Sequence, residues 1–296
     1  MLRFYKCSFL YFTVALIFVG YHTSFVSGQN GTCSEYESGD NLWTPNCTDD
    51  NYWRPVQCKG ETLNGRCFCY NATGTRLFGW AWWASAENMT CACSRRREAL
   101  EDAGREDVSL HCSSDGNYEE LQCDNGLCWC VEAMTGEPTE RVYPESMMTY
   151  LPCYNATLVG SQYLRKCESA MVGRARVLEK LETHGRYYTH IDGVNCEGDG
   201  SYGHYKISSS QILCTWKNNT QIESYQTELS NILTVDCNCA RDYVIYDEAG
   251  LTFSLSCDTD GSYTSEQYSN GYPFCVDSDG FATTYLGELG EDLSCT

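Results

Sequence analysis

The residues best equipped for chemistry are the cysteines, 21 of them in a chain of 296 residues. Thiols at that density ligate metals, act as nucleophiles, or pair as disulfides. Cys-x-Cys pairs together with His184 and His190 have a zinc-like look, but in an oxidising lumen the thiols are taken up by bridges. Gly198, Gly200 and Gly203 spell GxGxxG. A dinucleotide site needs a strand before that motif and a helix after it, whereas here Cys196 precedes it and a hairpin pattern follows. The DTDG and DSDG turns at Asp258 and Asp277 lack the long loop and closing Glu of an EF-hand. No nucleophile–base motif such as GxSxG is present. The expectation is therefore no enzyme, no metal and no cofactor.

Composition narrows the class. A formal charge of −20 gives no footing on a phosphate backbone, so nucleic acid is excluded as a partner. Arg3 and Lys6 precede the apolar run Cys7 to Gly20, and small residues end at Gly28. Residues 1–28 read as a secretory signal peptide cleaved after Gly28, with an uncleaved anchor as the alternative. Cys7 leaves with it, so 20 of the 21 cysteines remain, an even number suited to full pairing. No later stretch is apolar enough to span a bilayer. A secreted, extracellular protein is expected, with sequons at Asn30, Asn46, Asn71, Asn88, Asn155 and Asn218.

Self-comparison organises the cysteines. The stretch DGNYEELQCDNGLCWCV from Asp115 aligns without a gap on DGSYTSEQYSNGYPFCV from Asp260. Weaker copies start at Asp199 and Asp50, which makes four units. Six cysteine slots fill in unit one (Cys33, Cys47, Cys58, Cys67, Cys69, Cys91) and in unit two (Cys93, Cys112, Cys123, Cys128, Cys130, Cys153). Unit three has four (Cys167, Cys196, Cys214, Cys237), as does unit four (Cys239, Cys257, Cys275, Cys295). Both short units lack slots three and four together, holding Ile207 and Ile212, or Tyr268 and Pro273. A half-lost bridge would leave a free thiol, so joint loss argues that slots three and four bond to each other. That pairs Cys58 with Cys67 and Cys123 with Cys128. The other four slots allow three connectivities.

Units of this size need staples to fold. The expected layout is repeat 1 over 29–91, repeat 2 over 92–153, a linker over 154–166, repeat 3 over 167–237 and repeat 4 over 238–296. Cys-x-Cys joints at Cys91 and Cys237 make two tight pairs with a looser middle. The stretch after slot one reads helical in unit two (94–106) and in unit three (168–186), the latter with Val172, Val177, Leu178 and Leu181 as apolar positions. Unit one has little room for a helix. The Cys-x-Cys ends read as short strands around a Gly turn.

Gln122-Cys123 followed by Cys128-Trp129-Cys130-Val131 and Gly136, after Asp115-Gly116, closely resembles the thyroglobulin type-1 domain. Unit one keeps six cysteines but has Phe68 and Tyr70 where Trp and Val are usual. Units three and four are divergent, with Leu213 and Phe274 in the Trp slot. The resemblance implies small disulfide-rich α+β modules, each a short helix plus a small antiparallel sheet, in four tandem repeats. It also implies slot pairing one–two, three–four and five–six. That adds Cys33–Cys47, Cys69–Cys91, Cys93–Cys112, Cys130–Cys153, Cys167–Cys196, Cys214–Cys237, Cys239–Cys257 and Cys275–Cys295.

Some members of that family, the thyropins, are wedges that enter the cleft of papain-like cysteine proteases, including lysosomal-type ones; others bind extracellular partners without inhibiting. The resemblance points to unit two as the wedge. Its contact candidates are the hairpin tip Asp124, Asn125, Gly126 and Leu127, and the second loop Glu132, Ala133, Met134, Thr135 and Gly136. Unit two carries no sequon, whereas Asn71 falls in unit one's second loop, where a glycan would obstruct a cleft. The alternative is a non-inhibitory carrier, matrix or signalling-ligand binder. Trp80, Trp82 and Trp83 are either a partner hot spot or packing against unit two. The charge is a solvated surface that also suits a basic partner or an acidic compartment.

Overall fold

The computed structural model describes residues 33–36, 42–105, 109–186 and 193–295. The leader 1–28 and Asn30 lie outside the described residues.

The same bracket recurs in every unit. A β-bridge sets slot two opposite an aromatic residue: Cys47–Trp53, Cys112–Tyr118, Cys196–Tyr202 and Cys257–Tyr263. A hairpin follows. Its strands are β1 (Val56–Lys59) with β2 (Arg66–Tyr70), and β4 (Leu121–Asp124) with β5 (Leu127–Cys130). The later units have β7 (Tyr205–Ser208) with β8 (Gln211–Thr215), and β10 (Glu266–Ser269) with β11 (Tyr272–Cys275). A third strand joins three of these sheets: β3 (Arg76–Trp82), β6 (Tyr143–Pro144) and β9 (Gln221–Glu228). Among the described residues the fourth sheet stays two-stranded.

Register explains the missing cysteines. Cys58 faces Cys67 and Cys123 faces Cys128 across their hairpins. At the same positions Ile207 faces Ile212 and Tyr268 faces Pro273. Apolar cross-strand pairs thus stand where bridges would close. All ten bridges close with the slot pairing written above.

The Gln before slot three is a backbone staple. Gln122 is 1% exposed; its Oε1 accepts from the His111 N–H, and its Nε2 donates to the carbonyls of His111 and Glu119. Gln57 and Gln267 repeat the pattern on Asn46 and Ser256. A primary amide offers one acceptor and two donors, which this bracket uses in full. Unit three has Lys206 in that position and lacks the staple.

Among the described residues three helices precede brackets: α1 (Ala92–Asp102), α2 (Lys166–Thr183) and α3 (Asn238–Glu248). Among the described residues, unit one has a 3-10 turn, Cys33–Glu35, before its bracket. The N-cap of α1 is Cys91 and that of α3 is Cys237, each a bridged last cysteine of the preceding unit. Each joint is therefore also a helix start. Arg95 of α1 reaches back to the carbonyls of Tyr70 and Trp53, and Arg241 of α3 to those of Thr215 and Tyr202. Gly116 and Gly261 press the same spot at the two joints. A Cβ there would lie 2.4 Å from the Cys69 Sγ and 2.5 Å from the Cys214 Sγ.

Two expectations are corrected. The 154–166 stretch is not a loose linker: Val159 and Tyr163 are 5% and 3% exposed and pack on Leu121, Met148 and Leu151 of unit two. Helix α2 forms as read, with Val172, Leu178 and Leu181 half-buried and Val177 53% exposed. The arrangement is not two tight pairs with a looser middle, because units one and four meet.

Two ionic seams close the array. Between units two and three, the His111 Nε2 lies 2.8 Å from Glu168, its ring stacks on Tyr163 at 4.1 Å, and Arg165 grips Glu119 at 2.6 Å. Between units four and one, Lys59 donates to Asp277 and Asp279, each at 2.7 Å. Arg66 donates to both oxygens of Asp242 at 2.6 and 2.5 Å, and Arg76 pairs with Asp279. Phe281 meets Phe68 edge-on, 6.0 Å between centroids. The DSDG turn is thus spent on cations of unit one. Gly198, the first glycine of GxGxxG, lies in a turn against the Phe78 ring.

Candidate functional site

Unit two's tip is a two-residue turn. Asp124 pairs with Leu127, and between them Asn125 and Gly126 have φ of 50° and 75°. Positive φ at both central positions is the type I′ geometry that matches strand twist, and Asn-Gly is the pair that tolerates it. Asn125, Gly126 and Leu127 are exposed, Leu127 at 46%.

Three constraints hold the tip. The Cys123–Cys128 bridge closes its base. Strand β6 lays Pro144 opposite Leu127. The Glu145 N–H donates to the Gly126 carbonyl at 2.8 Å. Behind this, the Glu145 carboxylate accepts from the Tyr163 N–H at 3.3 Å, and the Tyr163 hydroxyl donates to the Ser109 carbonyl at 2.8 Å, with the Gln122 Oε1 3.2 Å away. Burial pushes the Tyr163 phenol well above its ordinary range, so it stays a neutral donor. Pro144, Glu145 and Tyr163 carry no sequence signal for this role, since a two-residue strand shows no periodicity. Met147 and Tyr150, in the 3-10 turn that follows, are 42% and 78% exposed.

The second loop lies elsewhere. The sheet runs β4, β5, β6 as a meander, and Val131 pairs with Pro138 at the end of β5 opposite the tip. Glu132, Ala133, Met134, Thr135 and Gly136 therefore sit a strand's length from Asn125. There the Thr90 hydroxyl of unit one donates to the Met134 carbonyl, and Gly136 abuts the Tyr118 ring. Backbone and hydroxyl hydrogen bonds from Met134 and Thr135 hold the Glu132 carboxyl below its usual range. The structure does not bring the two loops to one edge.

The same topology moves Asn71 away from unit one's tip. It lies in the loop between β2 and β3, opposite the 60–65 turn that carries Leu63 at 94% exposure. Its Nδ2 donates to Glu98 at 2.6 Å. Asn46, Asn88, Asn155 and Asn218 are exposed.

The tryptophans do not pack as expected. Trp82 meets Tyr246 of unit four edge-on at 5.4 Å and Trp80 at 5.5 Å. Trp83 lies against Gly65 of its own hairpin. The Trp80 N–H donates to the Ser114 carbonyl of unit two.

Fold and site together define a tandem array of small, bridge-stapled α+β modules. Residues 26–91 and 92–146 match the thyroglobulin type-1 repeat model. The chain carries two thyroglobulin type-1 repeats in its first half. It is 29% identical to thyroglobulin of Sus scrofa over 103 residues, which is 33% of this chain and 4% of that protein. It is 28% identical to equistatin of Actinia equina over 102 residues, 30% of this chain and 41% of that one. Thyroglobulin of Mus musculus aligns at 21% over 274 residues, 88% of this chain and 9% of that one. The chain thus spans a small part of the thyroglobulins it matches. Among the described residues no helix is long and apolar enough to cross a membrane.

Proposed function

We propose that this chain is a secreted, glycosylated inhibitor of papain-like cysteine proteases that works by inserting unit two's hairpin tip into the active-site cleft. The target class comes from the resemblance of the Gln-Cys…Cys-Trp-Cys-Val core to the inhibitory members of its family. The observation that carries the reading is the tip itself, an exposed Asn125-Gly126-Leu127 turn held by a bridge, a third strand and the Glu145 hydrogen bond. A loop already held in one conformation loses little entropy on binding. Unit three's tip is polar, and neither unit three nor unit four has the bridge. Secretion rests on the leader reading and the bridges. Four divergent copies of one module, bounded as in the sequence reading, are supported by the recurrent bracket and by an alignment spanning 88% of the chain.

The test is titration of the bridged, mature protein against a small panel of papain-like proteases. Inhibition that disappears when Asn125 and Gly126 are replaced by bulky charged residues supports insertion. Absence of inhibition by an intact, uncleaved protein overturns it in favour of a non-inhibitory extracellular binding protein.

A further inference from the structure

After Arg241 the chain contains eleven Asp and Glu and no lysine, arginine or histidine. Asp242, Asp277 and Asp279 are matched by cations of unit one. The remaining eight acids have no opposing cation in their own unit.

The outer end of unit four's hairpin is apolar. Tyr268, Tyr272, Tyr285, Leu286 and Leu289 are 54%, 42%, 67%, 57% and 70% exposed. Tyr268 shares its hairpin face with Glu266, which holds the C-terminal segment through the Leu293 N–H, whereas Tyr272 points to the opposite face. Tyr268 and Tyr272 flank the Asn270-Gly271 turn, and Tyr272 pairs with Ser269. The C-terminal segment folds over this turn: the Gly287 N–H donates to the Pro273 carbonyl at 2.7 Å, and a Cβ on Gly271 would lie 3.0 Å from Leu289. An acidic rim surrounds it. Glu266 accepts from the Leu293 N–H at 2.9 Å, and Glu291 from the Glu288 N–H at 2.8 Å. The Tyr268 phenol faces Glu266 and Asp292, and its hydrogen bond to Glu266 raises its pKa.

Clustered exposed aromatic and aliphatic side chains mark partner surfaces, and tyrosine is enriched among the residues that carry binding energy. Charge selects the occupant. A second copy would bring the same acidic rim and be repelled, as would nucleic acid or an anionic membrane. We infer that this end of unit four docks a cationic protein segment whose apolar side chains cover Tyr268 and Leu289. Its lysine or arginine side chains face Glu266, Glu288, Glu291 and Asp292. The site is separate from unit two's tip and stands without the inhibitor reading.

The test uses the full bridged chain and three fluorescent peptides of equal length, measured by anisotropy near physiological salt. One alternates Leu and Arg, one Ser and Arg, one Leu and Glu. The Leu/Arg peptide is expected to bind at least about tenfold tighter than either other, the loss expected when one anchor contact goes. Tyr268→Ser with Leu289→Ser should remove that margin without shifting the melting temperature, since both side chains are exposed. Glu288→Gln with Glu291→Gln should weaken the Leu/Arg peptide and flatten its salt dependence. Equal binding by the three peptides, or no effect of either variant, overturns the proposal. So does a dimer in sedimentation that Tyr268→Ser with Leu289→Ser abolishes, which would assign the patch to a second copy.

Discussion

The Lys59 ammonium lies 2.7 Å from the Asp279 carboxylate although 220 residues separate them in sequence. The side chains are 5% and 2% exposed. This pair is the hub of the seam that joins the first unit to the last. Burial alone would drive Lys59 down and Asp279 up. The mutual attraction, with Arg76 and Asp277 adding to it, reverses both, so Lys59 is held above its usual range and Asp279 below.

Breaking one side of this hub leaves a buried charge with one partner fewer: Asp279 keeps Arg76, and Lys59 keeps Asp277. Lys59→Met is expected to cost about 3–5 kcal/mol, as for other buried pairs. Asp279→Asn should cost a comparable amount, because Arg76 then loses its carboxylate and Lys59 keeps only Asp277. The check is reversible denaturation with all bridges intact. A double variant much less destabilised than the sum of the singles identifies the coupling as direct.

The sign of the pH dependence follows from Asp279. Its folded carboxyl is depressed, so its contribution is fully present above the ordinary aspartate range, about 3.9. It is lost only as pH falls through the still lower folded value. The seam is therefore expected to contribute equally at pH 7 and pH 5 and to fade below about pH 4. Melting of wild type and Asp279→Asn at these three pH values measures it. A difference that shrinks between pH 7 and pH 5 contradicts the assignment.

Two glycines with similar φ should respond differently to the same methyl group. Gly126 has φ of 75° and open space around it, while Gly116 has φ of 82° with the Cys69 Sγ 2.4 Å from its missing Cβ. Gly126→Ala should cost only the left-handed backbone term, about 1–2 kcal/mol. Gly116→Ala adds a clash against an immovable bridge and should separate units one and two, read as a larger fall in melting temperature and new protease-sensitive sites at the joint.

Unit three supplies a template for unit two. Cys123→Ile with Cys128→Ile copies the Ile207–Ile212 pair at the same register. A five-residue loop closure is worth roughly 2 kcal/mol, and the apolar pair restores part of it. The variant should fold with a modest loss of melting temperature. If the proposed insertion holds, it should lose more in inhibition than in stability, because its tip starts less ordered.

The cysteine slots, the joint loss of two of them, the Asn-Gly turn and the Gln before slot three were all legible along the chain. They are local: each depends on spacing within one hairpin or one bracket, and that spacing is the sequence itself. The packed 154–166 segment was not legible, because Val159 and Tyr163 sit among polar residues with no period and gain their role only against Leu121 and Met148. Nor was the separation of the two loops in unit two, since β6 is two residues long and its pairing decides which end each loop occupies.

Spacing by itself thus determined the cysteine slots and the chemistry of each hairpin. Folding in three dimensions decided how the units meet: that Trp82 finds Tyr246, that Arg66 finds Asp242, and that the acids of the last unit are divided between a buried seam and an open rim. Those partners are far apart in sequence. Charge and shape complementarity between finished surfaces selects them, and no repeat or periodicity along the chain records that choice.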